Sequence, residues 1–123
     1  MVTFPPNSES NRPPPGETSG GDDTLGGYLR LHNRPPGFEG SDGYPYTVSV
    51  EVEKTPDLTA PFSGYLVFPR WAETGAGIIG HLESPIILRG KSQEEVAVGL
   101  GALTLAKVRD LLDEASSLQR TET

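Results

Sequence analysis

Tyr46-Thr47-Val48-Ser49-Val50-Glu51-Val52-Glu53-Lys54 is the stretch on which the reading of this chain turns. Valine recurs at every second position, and Thr, Ser and Glu fill the places between. In an extended chain successive side chains point to opposite faces. Val48, Val50 and Val52 therefore share one face, and Thr47, Ser49, Glu51 and Glu53 share the other. β-branched residues fit a pleated surface. The stretch predicts a strand over residues 46–54 with one buried and one wet face, ended by Thr55-Pro56-Asp57.

Neighbouring segments extend this into a sheet. Residues 64–69, Gly-Tyr-Leu-Val-Phe-Pro, are apolar on both faces and predict a central strand whose ladder ends at Pro69. Residues 77–83 predict a further strand. Ile86-Ile87-Leu88 either continue it past a bend at Pro85 or form a short strand of their own. Upstream, residues 27–33 alternate, with Leu29 and Leu31 on one face and Tyr28, Arg30 and His32 on the other. That pattern predicts a half-buried strand stopped by Pro35-Pro36, with residues 34–45 as a loop carrying the turn signal Asp42-Gly43.

The period changes after Gly90. Ser92-Gln93-Glu94-Glu95 reads as a capping box, followed by Val96 and Leu100 at helical spacing and closed by Gly101. A second helix begins near Thr104, where Leu105, Val108, Leu112 and Ala115 draw one apolar stripe. Strands first and helices last predict an α+β fold: an antiparallel sheet of about four strands followed by two C-terminal helices packed on one face.

The chain has 123 residues, a formal charge of −7 and no Cys, which bounds it to one small domain without a disulfide framework or thiolate metal site. Five of its 12 Pro fall within residues 1–15. Residues 1–24 are therefore expected to be a disordered tail, because they have almost nothing apolar to bury. They also lack the apolar stretch of a signal peptide. Residues 25–119 are expected to form a single α+β domain, and residues 120–123 a frayed end. No apolar run is long enough to span a bilayer, and the acidic balance opposes nucleic-acid binding. The expectation is a cytoplasmic protein with no membrane insertion and no nucleic-acid partner.

Several short motifs have a plain structural reading. Gly75-Ala76-Gly77-Ile78-Ile79-Gly80 matches the spacing of a dinucleotide-binding loop, but strand-like residues follow it where a helix must begin. It is read as a hairpin turn. Gly90-Lys91-Ser92 resembles the end of a phosphate-binding loop, yet Pro85 stands where that loop needs Gly. The capping box accounts for Ser92. His32 and His81 are the only imidazoles, and a zinc site would need both plus a carboxylate such as Glu51 or Glu83. They are read as surface residues of the sheet, with Glu51 and Glu53 paired to cross-strand cations such as Arg30. No catalytic, cofactor or metal residue is assigned.

The aromatic residues suggest a contact surface. Phe68-Pro69-Arg70-Trp71 brings the only Trp beside an Arg, and the first long loop adds Phe38, Tyr44 and Tyr46. Trp, Tyr and Arg dominate interface hot spots. Phe68, Arg70, Trp71, Phe38, Tyr44 and Tyr46 form the candidate interaction patch. The polar face of the sheet, with Tyr28, Arg30, His32, Thr47, Ser49, Glu51 and Glu53, is the other candidate, and strand 46–54 is a possible pairing edge.

Residues 46–69 and 90–96 resemble the HicB-like antitoxin domain, with its paired strands, a strand ending in Tyr65-Leu66-Val67-Phe68-Pro69, and Gly90-Lys91-Ser92-Gln93-Glu94-Glu95-Val96 opening a helix. The resemblance covers about a third of the chain. It departs from that family in a gap from Pro69 to Gly90 about twice the usual length, and in having no helix-turn-helix or ribbon-helix-helix after Val96. The resemblance implies a small acidic protein that binds and masks a basic partner.

The expected function is a non-enzymatic interaction or regulatory module, acting with a protein partner, as a homo-oligomer or within a larger assembly, and using no cofactor. The alternative is a small ligand-binding protein or enzyme with a sheet–helix pocket near His81, Glu83, Arg70 and Asp42.

Overall fold

The computed structural model describes residues 23–122. Of the tail expected over residues 1–24, residues 1–22 lie outside the described residues, while Asp23 and Thr24 are described and join the fold. Over the described residues the fold is α+β, with an antiparallel sheet of six strands and three helices, two of them C-terminal. In chain order the elements are α1 (Leu25–His32), β1 (Gly37–Glu39), β2 (Pro45–Thr47), β3 (Ser49–Lys54), β4 (Phe62–Trp71), β5 (Ile78–Glu83), β6 (Leu88–Gly90), α2 (Gln93–Gly101) and α3 (Leu105–Glu122). α3 takes in three of the four residues expected to fray.

β4 organises the sheet. It pairs with β2 and β3 along one side and with β5 and β6 along the other, and β1 lies outside β2. Tyr46 stands opposite Arg70 and Ser49 opposite Val67, so β2 and β3 keep one register. They are halves of the expected 46–54 strand, parted at Val48.

Pro69 does not end β4 as expected; the strand runs on to Trp71. The reason lies in the ladder. Hydrogen-bonded residues alternate along an antiparallel strand. Thr55 N–H donates to the Pro61 carbonyl at 2.7 Å on the β3 side, and Ser84 N–H to the Leu66 carbonyl at 2.9 Å on the β5 side. By alternation, odd-numbered residues of β4 face β2 and β3, and even-numbered ones face β5. Pro69 therefore lacks an N–H only toward β2 and β3, where the ladder parts, and the β5 ladder continues past it opposite His81.

The strand expected over residues 27–33 is instead helix α1. Thr24 Oγ1 accepts from Gly27 N–H at 3.0 Å and caps it. Asn33, at φ 54°, closes it with its N–H on the Leu29 carbonyl at 2.9 Å. Leu25 is fully buried, whereas Leu31, which alternation turned toward the core, is 60% exposed. The cap residue Thr24 and the buried Leu25 both lie outside the alternating window 27–33. Tyr28, Arg30 and His32 consequently lie on a helix and not on the sheet. Strand β1, expected as loop, is the other addition.

All three helices pack on one face of the sheet. Leu66 and Phe68 from β4, Leu25 from α1, and Val108 and Leu112 from α3 form a cluster with at most 1% exposure. α2 covers the same face, pressing Val96 and Leu100 onto Gly64. Ser92 caps α2 by accepting from Glu95 N–H at 3.0 Å, and Glu95 reaches back to the Lys91 N–H at 2.9 Å. The capping-box expectation is met, with the return bond one residue earlier than the motif describes.

Candidate functional site

The helix-free face of the sheet carries alternate residues of each strand. From β4 it presents Tyr65, Val67, Pro69 and Trp71, all half-buried. From β2 and β3 it presents Thr47, Ser49, Glu51 and Glu53, and from β5 His81 and Glu83. The register sets Glu51 opposite Tyr65, Glu53 opposite Ser63 and Glu83 opposite Val67. An apolar ridge along the central strand is thus flanked by three carboxylates.

Hydrogen bonds hold the two aromatic ends of the ridge. Trp71 Nε1–H donates to Thr47 Oγ1 at 3.0 Å. A register shift between Arg70 and Trp71 accompanies this placement. The Tyr65 hydroxyl donates to Glu53 Oε2 at 2.7 Å. That bond first, with some desolvation and the charges of Glu53, Glu83 and Glu51, pushes the Tyr65 phenol up to about 12. Glu51 accepts from Ser49 Oγ at 2.8 Å. Arg30, expected to pair with these glutamates, lies on α1 instead.

A second cluster lies on the helix side, at the β1–β2 loop. Asp42 accepts from the Tyr44 N–H at 3.0 Å, the Tyr46 hydroxyl at 2.9 Å and Arg70 Nε at 3.1 Å. The Arg70 guanidinium also stacks 3.8 Å from the centre of the Tyr44 ring. Desolvation opposes ionisation of Asp42, but these bonds and the Arg70 charge outweigh it and hold its carboxyl below the usual range. Burial, then the bond to Asp42, pushes the Tyr46 phenol up. The donors and acceptors here are turned on one another, which fastens the loop to the sheet.

The six patch residues are therefore divided. Phe68 and Tyr46 are core residues at 0% and 2% exposure. Phe38 and Tyr44 pack against the core at its margin. Arg70 belongs to the Asp42 cluster. Trp71 alone stands on the helix-free face. Tyr65 and Val67 were missed; their signal was the same alternation that placed Thr47 to Glu53, carried across to the opposing strand.

The pocket residues are partly united. A cleft of about 370 Å³ is lined by Asp42, Tyr46, Arg70, His81 and Ser116, among others. Glu83 is not in its lining and pairs with His81 at 3.4 Å. Residues 72–77 form the turn between β4 and β5, closed by Ala72 N–H to the Gly77 carbonyl at 2.9 Å, with Gly75 at φ 79°. A strand follows it, as the hairpin reading required. His32 and His81 lie on separate elements, and among the described residues no three His, Cys, Asp or Glu are grouped to hold a metal ion. No helix among them is long and apolar enough to cross a membrane. No family model, curated protein or solved structure matches the chain.

Proposed function

We propose that this chain is a non-enzymatic interaction module whose contact surface is the helix-free face of the sheet, and that its partner presents Lys and Arg side chains. The observation that carries this reading is the half-buried ridge Tyr65-Val67-Pro69-Trp71 along β4, over which no helix lies among the described residues, with Glu51, Glu53 and Glu83 on its flanks. An aromatic and apolar centre with a polar rim is the anatomy of a protein interface. Trp71 and Tyr65 are already held by Thr47 and Glu53, so little side-chain freedom is lost on binding. The resemblance of residues 46–69 and 90–96 to the HicB-like antitoxin domain supports the same direction, because it implies an acidic protein that masks a basic one.

The ligand-binding reading draws on the cleft at Asp42, Arg70 and His81. It is the weaker of the two, since Arg70 and Asp42 already neutralise each other at 3.1 Å.

Affinity capture with the full chain from its native host tests the proposal. The wild type and an Arg70→Ala variant should retain the same basic partner, released by raised salt. Trp71→Ala should weaken retention by about tenfold or more. Undiminished capture by both Trp71→Ala and Tyr65→Ala would refute the assignment of this face. A small molecule retained in native mass spectrometry and lost in Arg70→Ala would favour the cleft instead.

A further inference from the structure

We propose that a second copy of this chain docks along the free edge of β5, strand against strand and antiparallel. This inference goes beyond the partner reading above, with which it shares Glu83. Among the described residues β5 pairs only with β4, so its other edge has no described strand beside it. Because Ser84 N–H bonds the Leu66 carbonyl, Gly80, Leu82 and Ser84 turn their backbone groups toward β4. His81 and Glu83 turn theirs away, to the open edge. Unpaired N–H and C=O groups in a row are a template for another strand.

The side chains on this edge favour a copy of itself. Pairing about a two-fold axis through Leu82 sets His81 of each copy opposite Glu83 of the other. An imidazole N–H can donate to a carboxylate across the ladder, a cross-strand pair that stabilises the pairing. Within one copy His81 and Glu83 already approach to 3.4 Å, so two copies would form an alternating four-residue row. The same register brings Ile78, 58% exposed, toward Ile86 of the other copy, 43% exposed. Ile79 is also half exposed. Natural sheets guard free edges with charge, and β3 shows it: self-pairing there sets Glu51 against Glu53 of the second copy, which repels. β5 has no such guard.

The test is sedimentation velocity on the full chain from roughly 1 to roughly 200 µM, with circular dichroism to check that each variant folds. The wild type should pass from monomer to dimer with concentration. His81→Glu should weaken the dimer by about tenfold or more, because it creates two like-charged pairs, and Glu83→Lys should weaken it by removing both carboxylates that accept from the imidazoles. The double variant should recover it, since the complementary pairs are restored with reversed polarity. Ile78→Lys should weaken it without touching those pairs. A monomer throughout the range would overturn the proposal, as would a dimer indifferent to these changes or a double variant that fails to recover.

Discussion

Gly64→Ala tests which face of the sheet the helices cover. Gly64 lies in β4 beneath α2, where an added Cβ would press on Val96 Cγ1 and lie 2.8 Å from Leu100 Cδ1. Both neighbours are fully buried, so neither can swing into solvent. Overpacking of this kind costs about 1–3 kcal/mol. Reduced freedom of the unfolded chain offsets only about 0.4–1 kcal/mol of that. In a domain of this size each kcal/mol moves the melting midpoint by about 4–8 °C, so a fall of roughly 5–15 °C is expected. Gly77→Ala is the control, because a Cβ there meets nothing within 4 Å. Its midpoint should stay within about 3 °C of the wild type. Thermal melts followed by far-ultraviolet circular dichroism read both. If Gly64→Ala melts at or above the wild-type temperature, α2 does not rest on this part of β4, and the case for a free opposite face loses its footing.

Two further outcomes follow from the titrating groups. Ultraviolet titration of the four tyrosines should show one ionising near 12, and Glu53→Gln should bring it down toward 10, because the bond to Glu53 favours the neutral phenol. The folded pKa is the higher one, so the stability from this bond is complete below about pH 10 and is lost as pH rises through about 12; a titration with no such late step would remove Tyr65 from its assigned partner. For Asp42 the folded pKa is the lower one, so its contribution is present above the ordinary carboxylate range and is lost as pH falls below it. Asp42→Ala should cost about 1–2 kcal/mol in urea unfolding at pH 7, and wild-type stability there would mean that the loop is not fastened by this carboxylate.

Where one local rule decides the structure, the sequence is readable. The two-residue period of Val48, Val50 and Val52 marks β3, and Ser92 with Glu95 marks the start of α2. Where two rules compete, it is not. Residues 27–33 satisfy alternation, and only Thr24 and Leu25 outside that window reveal a helix. β1 is three residues long, too short for its alternation of exposed Gly37, half-buried Phe38 and exposed Glu39 to stand out in the sequence. Pro69 signals a strand end, yet its meaning depends on which neighbour its missing N–H faces, a tertiary matter. The candidate surface was half legible for the same reason. Alternation places Thr47, Ser49, Glu51 and Glu53 on one face, but it cannot say that the helices choose the other. Nor can it separate Trp71 from Arg70, adjacent residues turned to opposite sides of one sheet.

The first described residues are fastened to the joint between α2 and α3. Leu25 N–H bonds the Leu103 carbonyl at 2.8 Å, and Leu105 N–H bonds the Asp23 carbonyl at 2.9 Å. This clasp fixes an orientation. Asp23 and Leu25 enter the fold on the helix side, behind the sheet as seen from Trp71. The clasp thereby ties the start of the described residues to the helix layer, so a pull applied at Asp23 loads the α2–α3 joint before it reaches the sheet.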